Sequence, residues 1–152
     1  MMLAYRLVRL IETHSAELAR GFRQKLQSCD KCHHFGAVPA EEFEQRVAEV
    51  YHHLGKWLLG KSERAIESQY RELGRRRAQQ GIPVSEMIWA IALSKENLVE
   101  FLQSQTGELQ PVAILGELEI VQLLGYFFDR AAYYAVVGYE EASVADAVST
   151  RV

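Results

Sequence analysis

The chain has 152 residues and a mass of 17.3 kDa, with 49% hydrophobic, 24% charged and 10% aromatic residues, an ordinary globular composition. A single domain of this size removes roughly 68–70% of the unfolded chain's surface from water, enough for a core without disulfides or a structural metal. The formal charge of −3 argues against a coat for nucleic acid or for an anionic membrane.

No stretch approaches the roughly 18 uninterrupted apolar residues that span a bilayer. The most apolar segment, Tyr126 to Gly138, carries Asp129 and Arg130. The N-terminus has Arg6 and Arg9 inside its apolar pattern and no small-residue cleavage site, unlike a secretory signal. A cytoplasmic protein is expected, in which Cys29 and Cys32 are reduced thiols unless they hold a metal or perform redox chemistry.

In chain order, Leu3, Leu7, Leu10, Ile11, Leu18, Phe22 and Leu26 recur at helical spacing, predicting an amphipathic helix over about 2–28 with His14 on its apolar face. Pro39 opens a second helix, about 39–59, with Phe43, Val47, Val50, Leu54, Trp57 and Leu58 inward and Gly60 at its end. A third runs from an N-cap at Ser62 to Gly81, with Ile66, Tyr70 and Leu73 as its apolar stripe. Pro83 starts the fourth, to about 105, burying Val84, Met87, Ile88, Ile91, Leu98, Phe101 and Leu102. Glu41, Glu42 and Glu86 fall near the positive ends of helix dipoles.

The last segment, from Pro111 to about 142, is apolar around most of its circumference. With residues about 100° apart, Glu119, Gln122, Tyr126, Asp129, Tyr133 and Glu140 share one narrow strip. Ile114, Leu118, Val121, Leu124, Phe127, Phe128, Ala132 and Val136 cover the rest. Such a helix needs partners on more than one side: either it is the central helix of the domain, or part of its surface faces a second subunit. The reading is one all-α helical domain over residues 1–142, of five to six helices, followed by a flexible tail over 143–152.

The sharpest local motif is Cys29-Asp30-Lys31-Cys32-His33-His34, in the loop between the first two helices. Formally it is C-x-x-C-H, the spacing that attaches c-type haem, but that attachment requires an export route which the N-terminus does not suggest. Two thiolates beside imidazoles also suit zinc, although a structural site wants four ligands, and His33, His34, His52 or His53 would have to complete it. Thiol redox sensing is a third reading, and a polar loop without metal, haem or cofactor is the plain one. His14 is expected as a core histidine bonded to a carbonyl rather than a ligand, and His52 and His53 as a solvated pair.

Arg71, Arg75, Arg76 and Arg77 form the strongest basic cluster, expected as a solvated, dipole-complementing helix end with Glu67 and Glu72 pairing Arg71 and Arg76. Asp129 lies at helical spacing from Tyr126 and Tyr133 and reads as a polar seam. No nucleophile elbow, glycine-rich phosphate loop, H-E-x-x-H or D-x-D pattern occurs, so no enzyme is expected.

Two stretches carry a family resemblance. They are Arg71-Glu72-Leu73-Gly74-Arg75-Arg76-Arg77-Ala78-Gln79-Gln80-Gly81-Ile82-Pro83-Val84-Ser85-Glu86 and Phe127-Phe128-Asp129-Arg130-Ala131-Ala132-Tyr133-Tyr134-Ala135-Val136-Val137-Gly138-Tyr139-Glu140. Over about 43–141 the chain resembles the N-terminal sensory domain of the RsbR/RsbRD type. These are the RsbT co-antagonists of bacterial stressosomes, and the domain is also found ahead of some histidine kinases. The resemblance implies a globin-like helical fold without haem, a homodimer, and a regulatory role passing a signal to an output protein or domain, a STAS module or a histidine kinase. It carries no catalytic residues. The output module is missing from the sequence, so the chain reads either as a piece of a longer protein or as a stand-alone relative. The Cys29–His34 loop is outside the family pattern.

Within this reading Gly125, Phe127, Phe128, Ala132 and Val136 of the last helix are the candidate dimer and relay residues. Gly125 and Gly138 could admit another helix closely. Cys29, Cys32, His33 and His34 are the candidate metal ligands.

Overall fold

The structure is a computed structural model describing the backbone of residues 2–59, 63–105 and 111–150. Side chains within these spans are described except at 2–4, 37, 59, 111–117 and 149–150. The chain forms α1 (Met2–Thr13), α2 (Ser15–Gln27), a single 3-10 turn (His33–Ala37), α3 (Ala40–His52), α4 (Leu54–Leu59), α5 (Glu63–Gln79), α6 (Val84–Gln105) and α7 (Pro111–Thr150). It is all-helical, in keeping with a globin-like helical domain. There are seven α-helices among the described residues where five to six were expected.

The extra helices come from two breaks. At His14 (φ −103°, ψ 20°) the first helix bends. The side chains of Thr13 and His14 reach back to the carbonyls of Arg9 (2.8 Å) and Leu10 (2.9 Å), competing with the backbone ladder as such bonds do. A similar step at His53 (φ −99°, ψ 7°) separates α3 from α4. It lets α4 approach α1 at Gly55, where a Cβ would stand 2.7 Å from Glu12 Oε1 and 3.1 Å from Val8 Cγ1. Pro39 and Pro83 sit immediately before their helices, their carbonyls accepting from Phe43 (3.0 Å) and from Glu86 and Met87 (both 3.1 Å). Gly81, at φ 73°, closes α5. The Ile82 N–H bonds the Arg77 carbonyl (3.0 Å) and the Gly81 N–H bonds that of Ala78 (3.1 Å), a left-handed helix cap that glycine alone adopts without strain. Ser62 and Gly60, the expected boundaries, lie outside the described residues.

Two buried clusters meet between the helices. The larger gathers Leu7, Val8, Ile11, Tyr51, Leu54, Ile66, Tyr70, Met87, Leu98, Leu102, Ile120, Leu124, Phe127 and Phe128. The smaller joins Phe22, Leu26, Cys32, Phe35, Val38, Phe43, Ile82 and Ala90 beneath the 3-10 turn. Two buried polar side chains are bonded inside: Tyr51 Oη to the Ser94 carbonyl (3.2 Å) and hydroxyl (2.9 Å), and Asn97 Nδ2 to the Leu18 carbonyl (3.0 Å). Val84 and Ile88, expected inside, are 39% and 37% exposed, because α6 turns its Met87, Ala90, Ile91 and Ser94 side inward.

α7 is 40 residues and about 60 Å long. Its helical backbone runs past residue 142 to Thr150, where a flexible tail was expected, and residues 143–148 there are exposed. α5 packs along it with the two backbones in contact. A Cβ on Gly74 would lie 1.8 Å from the Ala135 carbonyl oxygen, and one on Gly138 would lie 2.0 Å from that of Arg71. Among the described residues no helix is long and apolar enough to cross a membrane.

Candidate functional site

The cysteine loop leaves α2 after Gln27 and is shaped by backbone bonds from Cys32 N–H to the Cys29 carbonyl (3.4 Å) and from Phe35 N–H to that of Cys32 (3.3 Å). Cys32 is buried and belongs to the smaller core cluster, whereas Cys29 is half-buried. Burial, followed by a hydrogen bond with the Cys29 thiol and the nearby negative groups, pushes the Cys32 thiol up to about 12. It is therefore a protonated core thiol at neutral pH, not the low-pKa thiolate of a reactive cysteine. Both cysteines line a cavity of about 430 Å³ with Arg23, Phe35 and Phe43.

His33 and His34 are exposed. His34 turns toward Glu86, one of the few buried charged residues: its backbone N–H bonds Glu86 Oε1 (3.2 Å) and its Nδ1 stands 2.6 Å from Oε2. That second contact has ion-pair distance but not hydrogen-bond direction, and Oε2 accepts no hydrogen bond. Glu86 thus lies in the first turn of its helix, as expected, and also ties the cysteine loop to α6. The four candidate ligands do not converge: among the described residues no three His, Cys, Asp or Glu side chains are placed to hold a metal. His14 donates to the Leu10 carbonyl and lies against Phe101, with ring centroids 5.4 Å apart. His52 and His53 are exposed, their ring centroids 5.0 Å apart.

The arginine cluster divides in two. Arg71 bonds Glu67 (2.9 Å) and Glu141 of α7, Arg75 Nε bonds Glu72 (3.0 Å), and Arg76 reaches Glu72 at 3.4 Å. Arg77 is the exception to the expected solvated helix end, being only 3% exposed. It bonds Gln80 Oε1 (2.8 Å) and stacks on Phe35, its Cζ 5.5 Å from the ring centroid. Desolvation, reinforced by Arg46 and opposed by Glu42, pulls its guanidinium down to about 10, still charged at neutral pH. Helical spacing carried part of the signal, since Arg77 follows Leu73 by four residues and Tyr70 by seven and so continues the thin Ile66–Tyr70–Leu73 stripe. The rest of the signal is the proximity in sequence of Gly81, which sends Ile82 and α6 back across it.

Arg77 stands where two hollows meet. One is a groove of about 470 Å³ between α3 and α5, walled by Arg46, Val47, Val50, Tyr70, Arg76 and Arg77. The other is a cavity of about 70 Å³ lined by Phe22, Phe35, Phe43, Ala90, Ile91, Ser94 and Phe128, and by Val47, Val50, Tyr70 and Arg77, which it shares with the groove.

The residues assigned to a dimer face lie mostly elsewhere than expected. Phe127 is fully buried, its ring parallel to that of Trp57 at 5.7 Å and edge-on to Tyr70, and Phe128 is 4% exposed. Ala132 and Val136 pack against the same core. Phe127 and Phe128 are turned fully inward, and Ala132 and Val136 partly, because α5, α6 and α1 all pack on α7 within one chain. Gly138 is likewise a contact with α5. Gly125 differs: the nearest atom a Cβ would meet is Lys95 Nζ, at 4.0 Å. Around it α7 exposes Leu118 (57%), Tyr126 and Tyr133, with Arg130 over the Tyr126 ring at 3.6 Å. Leu118 belongs to the apolar part of the circumference read from the sequence.

No curated protein and no solved structure is matched by the chain. One family model, described as the RsbT co-antagonist protein rsbRD N-terminal domain, matches residues 12–151. That span takes in α2 to α7, the cysteine loop and the glycine contact between α5 and α7, and the chain belongs to the family of RsbRD N-terminal domains.

Proposed function

We propose that the chain is a non-catalytic, cytoplasmic regulatory domain of the bacterial stressosome type. It dimerises and relays a signal through α7 to an output module, a STAS domain or a histidine kinase. It works without haem or metal. The observation that carries this reading is the family match, which extends over nearly the whole chain and names a co-antagonist of RsbT.

Two features support the mechanical part. α7 is in contact with α1, α4, α5 and α6, so a repacking anywhere in the core bears on it. It also projects beyond that core, with Val144 and Val148 63% and 60% exposed, next to the end at which an output module would be joined. The exposed line Leu118, Tyr126, Tyr133, Val144 and Val148, interspersed with the half-buried Glu119 and the exposed Gln122, Asp129 and Glu140, supplies an amphipathic face for the partner copy.

Single cysteines at Val144, Val148 and Tyr133, placed in a Cys29→Ser, Cys32→Ser background, test it. Disulfide-linked dimers forming at Val144 or Val148 under mild oxidation are the expected result. Absence of cross-linking at all three positions contradicts a relay built on paired α7 helices.

A further inference from the structure

We propose that Arg77 is the anchor of a binding site for a small monocarboxylate with a short apolar tail. The carboxylate sits at the guanidinium and the tail occupies the adjoining cavity. The starting observation is a buried guanidinium that, among the described residues, has no carboxylate at ion-pair distance, Glu42 acting on it only from farther away. A guanidinium offers five N–H donors and is strongly penalised when buried unless it is paired. Arg77 is 97% withdrawn from solvent by the measure of its 3% exposure, yet its side-chain hydrogen bond goes to the neutral amide of Gln80.

The carboxylates nearby are engaged elsewhere: Glu42 with Arg46 at 3.1 Å, and Glu72 with Arg75 and Arg76. A ligand carboxylate is an acceptor whose planar geometry matches the guanidinium fork, none of whose nitrogens is both sealed from solvent and unbonded before the ligand arrives.

The hollow beside it sets the rest of the ligand. Its lining is aromatic and aliphatic, with Ser94 already bonded to Tyr51. Its volume of about 70 Å³ is about half of the ~150 Å³ that admits benzene in an engineered apolar cavity, which favours a short alkyl chain over a ring. Val47, Val50, Tyr70 and Arg77 line both the cavity and the outer groove, so the ligand has an entry route from solvent.

Phe128 of α7 also lines the cavity, which gives occupancy a direct bearing on that helix. The assignment deepens the sensory reading by naming the class of molecule sensed. Binding itself does not depend on dimerisation, so the two can fail separately.

Calorimetric titration of the whole chain with sodium butyrate, sodium acetate and 1-butanol tests the site. Saturable one-to-one binding of butyrate is expected, with acetate at least fivefold weaker and 1-butanol not bound. Arg77→Lys keeps the charge but loses the fork, and should weaken butyrate at least tenfold. Because changes at Arg77 can disturb the fold, Ala90→Val provides a second arm: it narrows the cavity while leaving the guanidinium in place. Butyrate and acetate should then bind within twofold of each other. No saturable butyrate binding at millimolar concentration overturns the proposal. So does equal binding of 1-butanol, or butyrate binding unchanged in both variants. A dimer that forms normally but binds no butyrate rejects the site and leaves the regulatory reading standing.

Discussion

Gly74 and Gly138 hold α5 and α7 together as reciprocal gaps: each lacks the Cβ that would strike the other helix's backbone, at the Ala135 carbonyl oxygen in one case and that of Arg71 in the other. Two helices can approach so closely only where both are bare, and the contact is flanked by the ion pair between Arg71 and Glu141 and by Tyr139 Oη donating to the Ile82 carbonyl (2.7 Å). The register of α5 on α7 is therefore fixed by backbone contact and by these two bonds.

Alanine at either glycine should destabilise the protein, although each gains about 1 kcal/mol of helix propensity. The backbone facing each Cβ cannot move without separating the helices, so a net loss of about 1–3 kcal/mol or more is expected in denaturant unfolding. Gly125→Ala, where a Cβ would meet only Lys95 Nζ at 4.0 Å, should instead gain up to about 1 kcal/mol. A neutral Gly74→Ala would show that the two helices are not in backbone contact.

Phe127→Ala should cost about 3–5 kcal/mol, because it removes a fully buried ring that Trp57, Tyr70 and Phe128 all touch. Tyr133→Ala, at a 65% exposed position on the same helix, should change monomer stability by no more than about 0.5 kcal/mol while weakening self-association. Equal effects of both on unfolding would contradict the inward orientation of the aromatic pair.

The thiols should behave unequally. Iodoacetamide at pH 8 should label Cys29 first and Cys32 only as the protein unfolds, as mass spectrometry of timed samples will report. The same asymmetry gives a pH dependence. The Cys32 thiol is raised from 9.0 to about 12 and the Tyr51 phenol from 10.0 to about 12, both chiefly by burial, and Tyr70 is raised further. In each case the unfolded chain loses its proton first, so their contribution is complete below pH 9 and is lost as pH rises toward 12. Arg77, lowered from 12.5 to about 10, acts in the opposite direction. With three groups against one, thermal midpoints should fall from pH 9 upward, and Cys32→Ala should delay the onset of that fall toward pH 10. A midpoint that stays constant to pH 11 would count against the buried thiol and phenols.

The helical class was legible because buried apolar residues recur at the helical period within each helix, as Leu7 and Ile11, Ile66 and Tyr70, Leu98 and Leu102, and Leu124 and Phe128 do. The breaks at His14 and His53 were not, since neither carries proline or glycine and both depend on local side-chain bonds or on packing at the neighbouring Gly55. Gly74 could have been noticed as an isolated glycine inside a helical pattern, a frequent sign of close backbone approach. The surface of α7 misled in a specific way. Periodicity reveals how much of a helix is apolar, not whether the covering elements belong to the same chain, and here α5 covers what had been assigned to a second copy. Cys29, Cys32, His33 and His34 gave the clearest motif in one dimension, but Cys32 packs inward while both histidines are exposed.

Sedimentation equilibrium of the chain at micromolar concentration tests the central claim most directly, because a relay between paired α7 helices requires a stable pair. The account predicts a single species of twice the 17.3 kDa chain mass, dissociating in the Tyr133→Ala variant. A species of 17.3 kDa at every concentration would contradict it.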